Sequence, residues 1–169
     1  MRLKLAFLVA TALVAAPSLL SAQEKGGVMN VATIGEPPTL DPMASTADLV
    51  GIVTQHMFET LYTFDKEWRA TPLLADSLPE ISADGKVYTI KLRSGIKFHD
   101  GSDMASDDVV VSLNRWIKVA SRGKQAASFI DKIEATDPST VTISLKQPYA
   151  PLVSLLAFNN SAAIILPAE

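Results

Sequence analysis

Cysteine is absent from this 169-residue chain. That excludes disulfides, thiolate catalysis and cysteine-ligated metals, and it leaves stability in an oxidising compartment to the apolar core alone. Histidine is scarce: after the first residues only His56 and His99 occur, and they offer no second ligand at a metal-binding spacing such as i, i+4 on one helix. Each is read as a satisfied structural histidine, and no metal or cofactor is expected. Basic charge is also in short supply, with 15 Lys and Arg against 18 Asp and Glu. A nucleic-acid or anionic-membrane partner needs a basic patch, so both are excluded. There is no internal repeat and no low-complexity tract.

What is present begins with a leader. Arg2 and Lys4 precede an apolar run from Leu5 to Leu20, and the small residues Ser21-Ala22 follow. This is the layout of a secretory signal peptide, residues 1–22, cut after Ala22. A membrane span is disfavoured because the run is short, is broken by Pro17 and ends in small rather than basic residues. A lipoprotein signal needs a cysteine to acylate, and position 23 is Gln. The mature chain is therefore expected free in the periplasm. Without Arg2 and Lys4 its charge is about −5, and about 147 residues remain, enough for one domain with a real core.

Periodicity then gives an order of elements. Val28 to Ile34 reads as a first strand, ended by the proline-rich loop Gly35 to Pro42. Leu49, Ile52, Val53, His56 and Met57 fall on a helical stripe across Ala47–Leu61. Leu61–Phe64 and Trp68–Ala70 flank a short turn, and Asp84-Gly85 is the strongest hairpin signal in the chain, a tight two-residue turn joining Leu78–Ser82 to Val87–Leu92. Val109, Leu113, Trp116 and Ala120 recur at helical spacing, with Ser106 as the expected N-cap. Asp103, Asp107 and Asp108 complement that helix's macrodipole. Ser121 to Lys124 reads as a polar linker, Ile130–Ala135 and Val141–Lys146 as strands turned by Asp137-Pro-Ser-Thr, Leu152–Phe158 as a last helix, and Ala162–Leu166 as the start of another strand.

The stretch Lys86 to Trp116 holds Tyr88-Thr-Ile-Lys-Leu-Arg93, Gly95-Ile-Lys-Phe-His-Asp-Gly101 and Asp107-Asp-Val-Val-Val-Ser-Leu113 in fixed order and spacing. In this it resembles the family 5 extracellular solute-binding proteins, the peptide, nickel and oligosaccharide receptors of ABC importers. The chain departs from the family's pattern at Asp103, Met104 and Ala105. The resemblance implies an α+β fold, a mixed sheet with flanking helices, forming part of the first lobe of a two-lobed receptor. Residues 23–169 would then be an N-terminal portion of that lobe.

The implied function is non-enzymatic capture of a solute, most often a peptide, and its delivery by a monomeric receptor to the permease of an ABC importer. In the family the segment Glu36, Pro37, Pro38, Thr39 and Leu40 passes near the cleft between lobes and would face the ligand; from the residues alone, Asp41-Pro42 could equally punctuate a turn. The rivals are a periplasmic hydrolase and a small stand-alone interaction domain. His99-Asp100 with Ser102 is the nearest thing to a catalytic array, but adjacent residues at a strand end point to opposite faces and do not converge as a triad must.

Overall fold

The computed structural model describes residues 26–168, so the leader reading of residues 1–22 lies outside the described residues. Gly26–Ala32 falls in one unit of the chain and residues 33–168 in another. The expected strand Val28–Ile34 does not form; these residues are extended or bent coil with exposed side chains. A β-rich, apolar segment makes a strand only where a neighbour takes up its backbone groups, and among the described residues none pairs with it.

The folded body contains α1 (Asp48–Thr54), β1 (Tyr62–Phe64), β2 (Ala70–Pro72), β3 (Glu80–Ile81), β4 (Val87–Lys91), α2 (Ser106–Val119), α3 (Ser121–Ala127), β5 (Ile130–Asp137), β6 (Thr140–Leu145) and α4 (Leu152–Leu155). It is α+β, as the sequence implied. β1 and β2 form a hairpin, and a four-stranded sheet runs β3-β4-β6-β5, with every named pair antiparallel. Period-2 patterning sets the register: Tyr88 and Ile90 of β4 and Val141, Ile143 and Leu145 of β6 are buried on one face. α2 lies against β5 and β6 and delivers Val109, Leu113 and Trp116 to that face. Each such aliphatic side chain contributes about 1.5–3 kcal/mol by leaving water.

Several boundaries move for physical reasons. Helix α1 stops at Thr54, not Leu61, because Thr60 pairs with Ile164 in an isolated bridge and Ile165 N donates to Glu59 O at 3.0 Å. That bridge is all that forms of the strand expected at Ala162–Leu166. α4 likewise ends at Leu155 instead of Phe158. The N-cap of α2 is Ala105, not Ser106: the Ser106 hydroxyl instead donates to Asp137 O at 2.5 Å, tying the helix start to the β5–β6 turn. Asp108 Oδ2 supplies capping from inside, accepting Ala105 N at 2.7 Å. The polar stretch from Ser121 is the helix α3, not a linker.

The hairpin between β3 and β4 forms where Asp84-Gly85 placed it, though as a longer loop. Ser82 N donates to Val87 O at 2.9 Å and Gly85 N to Ser82 O at 2.8 Å, so four residues cross over rather than two. Gly85 has φ +69°, and Gly101 has φ +92°. A Cβ on Gly85 would also sit 3.3 Å from Pro148 Cβ. Gly85→Val should therefore cost about 1–3 kcal/mol through backbone strain, read as a lowered urea midpoint; an unchanged midpoint would contradict the assignment.

Candidate functional site

The loop Glu36–Ser45 is shaped first by its own side chains. Thr39 Oγ1 accepts Asp41 N at 3.0 Å, Asp41 Oδ1 accepts Met43 N at 3.0 Å, and Ala44 N donates to Asp41 O at 3.1 Å. Short polar side chains bonded two residues on make consecutive local turns, and the prolines between them stiffen the path.

Long-range anchors then fix it. Arg115 on α2 presents its fork to the Asp41 carboxylate, with Nη2 2.5 Å from Oδ2 and Nη1 3.4 Å from Oδ1. Nη1 also lies against the sulfur of buried Met43. The Arg115 hydrogen bond holds the Asp41 carboxyl below the usual carboxylate range, outweighing the opposite pull of burial, and Asp41 in turn raises Arg115. Since the folded value is depressed, this stabilisation is fully present above the unfolded value near about pH 4 and is lost as pH falls through the lower folded value. Asp41→Asn should cost about 1–2 kcal/mol at neutral pH, the difference between a charged and a neutral hydrogen bond. Its unfolding midpoint should also lose the wild type's decline below about pH 4 that this carboxyl causes; parallel pH profiles would contradict the assignment.

The second anchor is the segment Phe158–Ala162. Ala162 N donates to Pro42 O at 3.2 Å and Ser161 N to Ser45 O at 3.1 Å. Ser161 is fully buried with φ +52°, a left-handed conformation that costs a non-glycine residue energy unless its surroundings hold it. They do: Trp116 Nε1 donates to Ser161 O at 2.9 Å, and Arg122 N donates to Ser161 Oγ at 3.2 Å. Asn159-Asn160-Ser161 reads as a turn cluster in the sequence, but nothing local marks it as the junction of the loop with α2 and α3.

On this frame Glu36, Pro38 and Leu40 are exposed while Pro37 and Thr39 are half-buried. The expected ligand-facing segment is thus one continuous, stiff edge. It lines neither of the two cavities described next.

One cavity, of about 530 Å³, is lined by His56, Phe58, Glu59, Phe98, His99 and Met104 among others. Another, of about 340 Å³, shares His56, Phe58 and Glu59 and adds Thr63, Leu73 and Asn159. Both histidines are exposed at the rim of the first, so they are solvated rather than satisfied in the interior. Among the described residues no group of three His, Cys, Asp or Glu is placed to hold a metal. Ser102 N and Oγ both donate to Asp100 Oδ1, at 2.9 and 2.7 Å, and this bonding lowers the Asp100 carboxyl. It is turn geometry, with the serine proton directed at the acid and not at His99.

An aromatic row lies at the end of β1. Trp68 is 77% exposed with φ +60°; its ring is 5.7 Å from that of Phe64, which meets Phe158 edge-on at 5.0 Å. The Arg122 guanidinium covers the Phe158 ring at 3.7 Å. Arg122 Nε donates to Asn160 Oδ1 at 3.1 Å and Nη2 to the same oxygen at 2.8 Å.

The chain is similar to known binding proteins. The sequence model for bacterial extracellular solute-binding proteins, family 5, matches residues 69–168. The glutathione-binding protein GsiB of Pectobacterium atrosepticum is 41% identical over 132 residues, covering 77% of this chain and 25% of its own length. The chain thus spans about a quarter of the length of the curated relatives it matches. Among solved structures, the binding protein AgaA in complex with agropinic acid, from A. tumefaciens R10, superposes with TM-score 0.71 at 36% identity, over 79% of this chain and 27% of its own. The ABC transporter-associated periplasmic binding protein DppA from Helicobacter pylori, in complex with a peptide, gives 0.68 at 26% identity, over 78% and 29%.

Proposed function

This chain belongs to the bacterial extracellular solute-binding proteins of family 5, and from that premise we propose that it serves the periplasmic solute-capturing component of an ABC importer. The solute proposed is a peptide or a peptide-like small molecule, delivered to permease subunits in the inner membrane by a monomeric receptor. The observation that carries this reading is the family match over residues 69–168, joined to a fold shared with solved receptors of peptides and small acids. The role is binding without chemistry: no step of bond making is assigned to any residue.

In this proposal the Glu36–Leu40 edge faces the ligand. Its stiffness is what such a role asks for, because a preformed edge loses little conformational freedom when a solute docks. Hinge closure of two lobes over the solute would then present one closed form to the permease. Export through a leader cut near Ala22, without lipidation, belongs to the same proposal, and intact-mass analysis of periplasmic material tests it. Native mass spectrometry of protein purified from the periplasm tests capture itself. A co-purifying solute that can be exchanged for added peptide supports the reading; protein that carries no solute and shows no thermal shift with peptides, nickel chelates or short oligosaccharides would count against it.

A further inference from the structure

We infer that Arg122 is the anchor for a carboxylate group on the captured solute, an inference that rests on the solute-capture reading. A guanidinium has five N–H donors in a fixed plane. In Arg122 the side edge is occupied, since Nε and Nη2 both donate to Asn160 Oδ1 and Nε also lies 3.1 Å from Asn160 O. Asn160 is itself oriented, its Nδ2 facing Asp48 Oδ1 at 3.5 Å, so the amide oxygen turns toward Arg122. One face of the plane rests on Phe158. What remains is the outer edge, both hydrogens of Nη1 and one of Nη2, which is the edge that pairs side by side with a carboxylate.

That edge has no acid on it. Arg115 is matched by Asp41, and Arg69 by Asp65 and Glu67; among the described residues no carboxylate pairs with Arg122. Half-buried, the guanidinium is partly stripped of water, and burial disfavours its charge with nothing to offset the effect. Of the guanidinium's N–H groups, only those of the side edge are used in holding the Phe158–Ser161 segment in place. The outer edge is preorganised and open, and a solute carboxylate satisfies it with two parallel charge-assisted bonds. The Phe158, Phe64 and Trp68 rings lead away from the guanidinium, so the natural probe is an acid with a flat apolar body.

The test compares benzoate with its neutral isostere benzamide, reading the Arg122 guanidinium resonances of the whole chain by NMR. Benzoate should give a saturable shift, and benzamide should bind at least about tenfold more weakly, the ratio one charge-assisted bond supplies. R122Q should abolish the preference, and R122K, which keeps charge and loses the fork, should retain part of it. Because the wild-type resonances carry the first readout, a variant that fails to fold does not remove the test. Equal shifts with benzoate and benzamide overturn the inference. So does a solute recovered with the protein and bound by folded R122Q with unchanged affinity, which leaves capture standing. Selective benzoate binding by a protein that carries no solute would support the anchor while counting against capture.

Discussion

Trp116→Ala is expected to cost about 3–5 kcal/mol, the range for removing a large aromatic from a close-packed core. Trp116 is 1% exposed on the sheet-facing side of α2. Its indole N–H is also the donor that satisfies Ser161 O, so truncation opens a cavity and orphans a buried carbonyl together. A loss of that size is a large part of a domain's stability. Chemical denaturation followed by circular dichroism measures it, and wild-type Trp116 fluorescence should be that of a ring shielded from solvent. Trp68, at 77% exposure, gives the solvated reference when compared in single-tryptophan variants.

Gly123→Val should be comparably severe, about 3 kcal/mol or more, at the upper end of what overpacking costs. A Cβ at Gly123 would lie 2.1 Å from Trp116 O and 2.9 Å from Ile117 Cα. Both are backbone atoms of α2, so no side-chain rotation relieves the overlap and α3 must back away from α2. Because Arg122 and the Ser161 junction adjoin this contact, the substitution should also loosen the loop at Asp41. Unfolding midpoints of Gly123→Val and Gly123→Ala beside wild type decide it, with wild-type stability in both contradicting the close approach.

These two positions show where the sequence is readable and where it is not. The hairpin at Asp84-Gly85, the β5–β6 turn at Asp137-Pro-Ser-Thr and the apolar stripe of α2 were legible because turn chemistry and periodicity act over a few residues. Helix α3 was not: Ser121-Arg-Gly-Lys has the composition of a linker, and it is helical because Gly123 lets it pack against the backbone of α2. The strand expected at Val28–Ile34 has apolar, β-branched composition but, among the described residues, no partner. At the candidate site the stiff loop could be read from its prolines, but its clamp could not. Asp41 meets Arg115 across 74 positions and Arg122 meets Asn160 across 38, and no local pattern announces either pair. The Gly95–Gly101 and Asp107–Leu113 blocks identified the family while leaving those pairs silent.

Capture of a solute for import is what we propose for this protein, and uptake tests it most directly. Cells lacking the gene, and the same cells complemented, would be given labelled peptides, a nickel chelate and short oligosaccharides. Uptake of one solute class, with peptides first, should fall on deletion and return on complementation. Unchanged uptake of every solute, with the protein exported and folded, would contradict it.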